Sequence, residues 1–186
     1  MNLARDNILN RVRAAVRTKA PRPAEPSASA IWPPMGEAEA RFREEFTTLK
    51  GEIIESLPEF RAGFAKIATD GSELAGAGNA TVREADLGVT SCVCLVAQTG
   101  SIVVACRSGE ERALSALPPV HLVVARRSQI VPDLDAGIGV LRQQYGGGFP
   151  SLISVISGPS RTADIEKVLV LGAHGPKRLA VHFVNT

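Results

Sequence analysis

The densest group of chemically active side chains lies near the carboxyl end of the chain. Residues 157–166 read SGPSRTADIE, between an apolar run that predicts a strand and a segment that predicts a helix. In open α/β sheets, loops that follow the carboxyl ends of strands line the ligand crevice. The hydroxyl groups of Ser160 and Thr162, the guanidinium of Arg161 and the N–H groups of a helix start all hold carboxylates or phosphates. The segment therefore predicts a small-anion site.

The same segment has a structural interpretation. Asp164 and Glu166 lie where the dipole of the predicted helix favours negative charge, so they can satisfy the positive helix start themselves. In that case Ser160 or Thr162 serves as the N-cap. The sequence is consistent with both interpretations, the anion site and the helix cap.

Two histidines are candidates for polar chemistry. His121 follows Leu117-Pro118-Pro119-Val120 at the start of a predicted strand, where it faces either the core or a cleft. His174 lies in a glycine-containing turn before the last predicted strand, and we expect it to be more exposed. An exposed imidazole serves as an acid, a base or a hydrogen-bond donor. We therefore add His174 and, nearby, His121 to the ligand-binding candidates.

Cysteine and glycine patterns do not match a known cofactor site. Cys92 and Cys94 are predicted on one face of a strand and Cys106 on a neighbouring strand, without a CxxC pair or a four-ligand set. We interpret these thiols as small core residues. Gly71, Gly76 and Gly78 match neither the dinucleotide-binding nor the P-loop pattern. We expect the chain itself to bind no metal and no cofactor.

The elements that must position these residues alternate along the chain. Val89–Val96 and Ser101–Ala105 are apolar, β-branched runs, and Gly100 between them can supply the positive φ of a tight hairpin. Further strands are predicted at Glu52–Ser56, Val120–Ala125, Leu152–Ile156 and Leu179–Val184. The continuous apolar character of Val120–Ala125 predicts burial on both faces.

Helical segments separate these strands. Helical spacing of apolar residues predicts helices over Leu3–Lys19, Gly36–Lys50, Pro58 to Ile67, Val131–Tyr145 and Thr162–Val168. Strands that alternate with helices indicate an α/β three-layer fold with a mainly parallel sheet, to which the hairpin adds an antiparallel component.

The amino-terminal region differs from the rest in composition. Residues 1–19 predict an amphipathic helix, and residues 20–36 contain five prolines and predict an extended linker. Residues 37–186 form the predicted α/β domain. The helix packs on its own domain, on a second copy or on a partner protein.

Composition excludes several classes of function. Hydrophobic residues make up 45% of the 186 residues, which is typical of a globular protein. Six basic residues fall within the first 25, which leaves 15 basic and 17 acidic residues in the remainder. With eight aromatic residues and no basic stripe, nucleic-acid binding is not expected. No apolar run approaches membrane-spanning length and no signal peptide is evident, so we expect a cytoplasmic protein without a membrane span.

Several motifs taken together resemble one family. The motifs LGVT at residues 87–90, QTGS at 98–101, LPPVH at 117–121, SGPSRTADIE at 157–166 and LGAHGP at 171–176 occur in the order and spacing of the LUD domain. The resemblance runs from about Phe46 to the carboxyl terminus. SGPSRTADIE and LGAHGP are specific in combination, whereas GVT and QTGS alone are weak.

The resemblance implies a fold and a metabolic role. The fold would be that of the NagB/RpiA/CoA-transferase-like α/β group. The role would lie in L-lactate utilization, the oxidation of L-lactate to pyruvate, beside two iron–sulfur partner proteins, lactate utilization proteins A and B. Since the cysteines for a cluster are missing here, an accessory, non-redox component is expected.

Two positions depart from the pattern of the family. Gln98 stands where an acidic residue is common before Thr-Gly, and an amide cannot act as a carboxylate nucleophile or a general base. Residues 107–112 contain a single glycine where the family has a glycine-rich turn. A covalent mechanism of the CoA-transferase type is therefore disfavoured at residue 98.

We therefore predict an accessory component of a lactate utilization system that binds a small carboxylate or phosphate. The predicted ligand-binding residues are Ser160, Arg161, Thr162, His174 and His121. The alternative is an autonomous enzyme of the same fold group that acts on a sugar phosphate, a folate or an acyl-CoA. A third hypothesis is an interaction module that uses the helix of residues 1–19.

Overall fold

The computed structural model of the chain describes residues 3–17, 21, 36–165, 168–171 and 174–184. It divides the chain into two units, Met1–Pro34 and Met35–Thr186. Helix α1, Leu3–Arg17, belongs to the first unit. The predicted linker of residues 20–36 lies outside the described residues, apart from Pro21 and Gly36.

The described part of the second unit contains helices that alternate with strands. The helices are α2 Ala38–Thr48, α3 Leu57–Ala62, α4 Gly109–Leu114 and α5 Leu134–Tyr145. The strands are β1 Glu52–Ile54, β2 Ile67–Thr69, β3 Leu87–Thr90, β4 Cys94–Val96, β5 Ser101–Cys106, β6 Val120–Arg126, β7 Ile130–Val131, β8 Leu152–Ile156, β9 Arg161–Ile165, β10 Val168–Leu171 and β11 Arg178–Val184. Among the described residues, no helix is long and apolar enough to cross a membrane.

Five strands form a parallel sheet in the order β1-β11-β6-β3-β2. The chain passes from β1 at one edge to β2 at the other, and then returns strand by strand to β11. Right-handed crossovers that run in opposite directions lie on opposite faces of a sheet. Accordingly, Phe60 of α3 and the nearby Phe64 pack on one face, and α2 and a second sheet pack on the other.

The second sheet is mixed, in the order β7-β4-β5-β8. β4 and β5 form the predicted hairpin, and Gly100 in its turn has a φ of +62°. The inner face of this sheet packs against the parallel sheet. Its outer face packs on Leu141 of α5. Helix α5 ends at Gly146, as predicted, with a φ of +54°.

The core lies on both faces of the parallel sheet. Along β6, Leu122 and Val124 face the side of α3, while Val123 and Ala125 face the mixed sheet. All four side chains are fully buried, which confirms the burial predicted from the continuous apolar run. The predicted α/β class, with a mainly parallel sheet and an antiparallel hairpin, is likewise confirmed.

The helix predicted over Thr162–Val168 is wrong. This segment forms β9 and the start of β10, which pair with each other in an antiparallel hairpin. In addition, the strand before it, β8, is the antiparallel edge of the mixed sheet and does not belong to the parallel sheet. The segment 157–166 therefore does not open a helix at the carboxyl end of a parallel strand.

Three other boundaries were predicted incorrectly. Val89–Val96 is divided between β3 and β4, which belong to different sheets. The helix predicted from Pro58 ends at Ala62, and Ile67 lies in β2. The helix predicted from Val131 begins at Leu134, because Asp133 caps it through a hydrogen bond to the N–H of Ala136.

Candidate functional site

Two of the predicted site segments meet in space. The backbone N–H of Ser160 donates a hydrogen bond of 2.9 Å to the carbonyl oxygen of Pro176. Gly175 lies so close that a Cβ built on it would be 3.1 Å from the Cβ of Ser160. His174, in the same turn as Gly175, is exposed, as predicted. The structure therefore brings Ser160 to the turn that contains His174.

Arg161 contacts the end of helix α2. Its guanidinium donates a hydrogen bond to the carbonyl oxygen of Leu49, the residue that caps α2. Gly158, with a φ of +96°, approaches the same carbonyl, and a Cβ there would lie 2.7 Å from it. The carboxyl end of a helix carries partial negative charge and favours a cation. The geometry thus gives Arg161 a structural partner.

Thr162 is the second residue of β9, and its Cα is paired with that of Val170. Its side chain lies outside the described part of the structure. Because the segment is a strand, the anion-binding helix start that the sequence predicted is not formed there.

His121 lies in the core and is fully buried. Its Nε2 is 2.9 Å from Oγ1 of Thr90, and its Nδ1 has no hydrogen-bond partner. Burial lowers the pKa of His121 to about 4, against a smaller opposing influence of the Asp70 charge. The imidazole is therefore neutral at pH 7. Within the described residues, no hydrogen bond joins it to Ser160, Arg161 or His174.

A cleft of about 90 Å³, here called the Asp70 cleft, lies beyond the carboxyl ends of β2 and β3. Asp70 accepts hydrogen bonds from the backbone N–H of Ser72 at 2.9 Å, and from the N–H and hydroxyl of Ser91 at 2.7 and 2.8 Å. Burial raises the pKa of Asp70, but these hydrogen bonds outweigh burial and hold it below the ordinary value. The cleft is lined by Asp70, Thr90, Ser91, Cys92, Val93, Val104, Ala105, Cys106, Glu111, Ser115, Gln144 and Tyr145.

A second and larger space also lies at the carboxyl ends of the parallel strands, but beyond β1 and β11. This groove of about 360 Å³, here called the Arg43 groove, is lined by Arg43, Ile54, Glu55, Arg127, His182, Phe183 and Val184. The guanidinium groups of Arg43 and Arg127 lie 5.0 and 5.6 Å from the centre of the Phe183 ring. Both also hydrogen-bond to Glu39, at 2.9 and 3.0 Å.

The amino-acid sequence matches a known protein family. The sequence profile of the LUD domain family matches residues 40–184. The chain belongs to the LUD domain family. This result confirms the resemblance that the motifs indicated.

Several relatives of this LUD domain protein are named Lactate utilization protein C. The protein from Geobacillus kaustophilus is 35% identical over 100 residues, which cover 53% of this chain and 42% of the relative. The protein from Deinococcus radiodurans is 38% identical over 108 residues, which cover 58% of this chain and 50% of the relative. The chain thus matches half or less of the length of these relatives.

A solved structure shows the same fold. A DUF162 family protein from Deinococcus radiodurans superimposes with a TM-score of 0.59 at 22% sequence identity. The match covers 82% of this chain and all of the other one. At this identity the likeness supports the fold of the LUD domain alone.

Burial disfavours ionisation of the three cysteines of this LUD domain. Burial raises the pKa of Cys94 to about 11, and it also raises the pKa values of Cys92 and Cys106. Cys92 packs beside the inner core and Cys94 on the outer face of the mixed sheet, so the prediction that both share one face of a strand is wrong. Among the described residues, no group of three or more His, Cys, Asp or Glu side chains is placed to hold a metal ion.

The sequence analysis did not select Asp70, Arg43 or His182, which line these two spaces. Asp70 follows a strand of three residues that was not predicted, so its position at a strand end was hidden. His182 is a polar residue within the apolar run of β11, and that interruption was an available signal. Arg43 lies on the polar side of α2, so its place in the sequence does not distinguish it from an ordinary solvent-exposed arginine.

Proposed function

We propose that this LUD domain protein is a component of a lactate utilization system. The observation that carries the proposal is the set of relatives named Lactate utilization protein C, at 35% to 38% identity, together with the match of residues 40–184 to the LUD domain. The proposed role is in the oxidation of L-lactate to pyruvate, in the cytoplasm.

Within that system the chain acts as an accessory, non-redox component. The placement of its thiols supports this role. Iron–sulfur clusters are held by several converging Cys thiolates, whereas Cys92 packs beside one face of the mixed sheet and Cys94 lies on the other. Electron transfer is therefore assigned to iron–sulfur partner proteins, lactate utilization proteins A and B.

The proposed ligand is a small carboxylate or phosphate. Arg161 and His174 support this proposal, because they place an exposed guanidinium and an exposed imidazole on segments joined by the hydrogen bond from Ser160 to Pro176. Thr162 belongs to the proposed set through its place in β9. His121 is enclosed in the core and can act there only through Thr90.

Deletion and co-purification test the accessory role. Removal of the gene should abolish growth on L-lactate and leave growth on pyruvate unchanged, and a tagged copy should restore growth. The tagged protein, purified gently from lactate-grown cells, should bring iron–sulfur proteins in stoichiometric amount. Normal growth of the deletion strain on L-lactate would refute the role.

The Asp70 cleft favours a second candidate function, that of an autonomous enzyme. A hydrogen-bonded carboxylate, hydroxyl groups and thiols meet there at the carboxyl ends of two parallel strands, which is the usual ligand position in open α/β sheets. Turnover of a sugar phosphate, a folate or an acyl-CoA by the purified chain alone would favour this function. Dependence of that turnover on Asp70, tested with Asp70→Asn, would place it in the cleft.

A further inference from the structure

Strand β8 has a strand partner on one side only. It lies at the end of the mixed sheet β7-β4-β5-β8, and among the strands that the structure describes only β5 pairs with it. An edge strand presents unpaired backbone N–H and C=O groups, which pair readily with another strand. In an antiparallel ladder alternate residues direct both groups to the same neighbour, so about half of β8 addresses the open side. The edge can therefore accept a further strand.

This edge lacks the features that usually protect such strands. β8 has five residues, whereas the other edge strands of the two larger sheets, β1, β2 and β7, have two or three. Short edges, charged side chains and prolines within the strand prevent edge-to-edge association. The nearest charged residues in the sequence are Arg142 and Arg161, and no proline lies within Leu152–Ile156. We therefore expect a partner strand to cover this edge.

Apolar side chains of β8 are exposed on both faces of the sheet. Val155 is 47% exposed and Leu152 is 37% exposed. Ile153 belongs to the cluster on the outer face, and Ile156 packs beside the inner core. Because side chains alternate along a strand, Val155 shares the outer face with Ile153, and Leu152 shares the inner face with Ile156. Each face thus combines one half-buried and one exposed apolar residue of β8.

This pattern is complementary to itself. When β8 pairs antiparallel with β8 of a second copy and Ser154 lies on the two-fold axis, Leu152 faces Ile156 of the second copy and Val155 faces its Ile153. Directly opposite residues of an antiparallel pair point to the same face and pack together. Each exposed apolar residue then meets a half-buried apolar residue, and no charge is enclosed. Because β8 offers no charge for a different protein to pair with, its composition favours a second copy as the partner.

Flanking prolines limit the pairing to this segment. Pro150 precedes β8 and Pro159 follows it. Proline has no backbone N–H, so a ladder of hydrogen bonds does not extend easily through it. A two-fold pair also uses both β8 edges, and the opposite edge of the sheet, β7, has only two residues. The geometry therefore favours a closed dimer over an open fibre.

We infer that the chain forms a homodimer in which the β8 strands of two copies pair antiparallel about Ser154. The two mixed sheets then form one continuous sheet, with four strands from each copy. The inference is independent of the proposed role in lactate utilization, because it rests only on the geometry and composition of β8.

Sedimentation velocity of the full chain tests the dimer. The unmodified protein should be dimeric at about 100 µM and should dissociate on dilution. Val155→Lys should raise the dissociation constant by at least about tenfold, because each ammonium group would have to leave water opposite Ile153 of the other copy. Val12→Lys is the matched control, since Val12 is 53% exposed on α1, and it should leave the dimer intact. Thermal melting should confirm that both variants are folded.

Disulfide crosslinking tests the register with a milder substitution. Ser154→Cys places two thiols opposite each other, where the Cα atoms of an antiparallel pair lie about 4.5–5.5 Å apart, within the range of a disulfide. Under a mild oxidant this variant should give a covalent dimer on a non-reducing gel. In Ser151→Cys the two thiols would be offset by six residues, or roughly 20 Å, so this control should give none. The unmodified protein, with its three native cysteines, should also give none.

Three results would overturn the inference. The first is a chain that sediments as a monomer at this concentration, which would leave the β8 edge to a strand of another protein. The second is loss of the dimer in Val12→Lys but not in Val155→Lys, which would place the contact on α1. The third is a failure of Ser154→Cys to form a covalent dimer, or equally efficient crosslinking of Ser151→Cys.

Discussion

The guanidinium of Arg161 and the carbonyl oxygen of Leu49 join two segments that lie 112 residues apart in sequence. Leu49 caps α2, whose Phe42 and Phe46 are fully buried in the core. The contact therefore joins the start of β9 to a helix that is anchored in the core.

Substitution of Arg161 tests whether this contact is structural. We expect Arg161→Ala to lower the free energy of unfolding by about 1 kcal/mol, and Arg161→Lys by less, because lysine retains the charge near the helix end. For a domain of this size, that corresponds to a fall of roughly 2–4 °C in melting temperature. Lys177→Ala, at an exposed cation of the neighbouring turn, should have little effect. Loss of anion binding in Arg161→Ala would support the proposed anion site, whereas unchanged anion binding together with this loss of stability would make the role of Arg161 structural alone.

Two glycines should respond in opposite directions to alanine. Gly100 has a φ of +62°, and a Cβ there would overlap the backbone of Phe46. We expect Gly100→Ala to destabilise the protein by at least about 2 kcal/mol. Gly139 lies exposed in α5, and apart from its chain neighbours and the nearby backbone of its own helix no atom lies within 4 Å of the position that a Cβ would take, so Gly139→Ala should stabilise by about 0.5–1 kcal/mol. Urea unfolding of the two variants measures both effects, and equal effects would contradict the assignment of strain to Gly100.

Local signals predicted the elements that local chemistry determines. The hairpin of β4 and β5 followed from apolar runs around Gly100, and the end of α5 followed from Gly146. The double burial of β6 followed from its unbroken apolar sequence. In each case the deciding information lies within about fifteen residues.

The failures occurred where distant pairing decides. The cap-like residues before 162–168 favour a helix locally, but the β-branched residues Thr162 and Ile165 also suit a strand, and pairing with β10 determines the outcome. Likewise, Ser91 to Val93 carry the chain from one sheet to the other, which no local pattern marks. A strand prediction over Val89–Val96 cannot contain that information.

The candidate site was less predictable than the fold, because its contacts join remote residues. His182 meets the carbonyl of Ile54 across 128 residues, and Arg127 meets Glu39 across 88. Sequence order gives no indication of these neighbours. It did identify the buried core position of His121 as one of two alternatives, and the fully buried ring decides between them.

The three thiols should react only when the protein unfolds. Burial raises the pKa of Cys94 to about 11 and raises those of Cys92 and Cys106, so the reactive thiolate is scarce at pH 7.5. A colourimetric disulfide reagent should label the native protein slowly and all three cysteines at once in denaturant. Rapid labelling of Cys92 in the native state would contradict this expectation and show that its thiol reacts from the Asp70 cleft. Cys92→Ser identifies which thiol is responsible.

The stability of the protein should depend on pH through His121. Burial lowers its pKa to about 4 in the folded state, against an ordinary value of 6.5. The unfolded state therefore takes up a proton near pH 6.5, whereas the folded state does so only near pH 4. Stability from this group is complete above pH 6.5 and is lost as the pH falls toward 4, by on the order of 3 kcal/mol in all.

The measurement is the free energy of urea unfolding between pH 7.5 and 5, for the unmodified protein and for His121→Gln. Glutamine can either donate a hydrogen bond to the Thr90 hydroxyl or accept one from it, but it does not titrate, so its curve should be flatter over this range. His174 and His182 are present in both proteins, and the difference between the curves therefore isolates His121. The depressed pKa values of Asp70 and Glu52 affect stability mainly below pH 4.5, outside this window. Parallel curves would show that the pKa of His121 is the same in the folded and unfolded states, so that the core around Thr90 admits a charge.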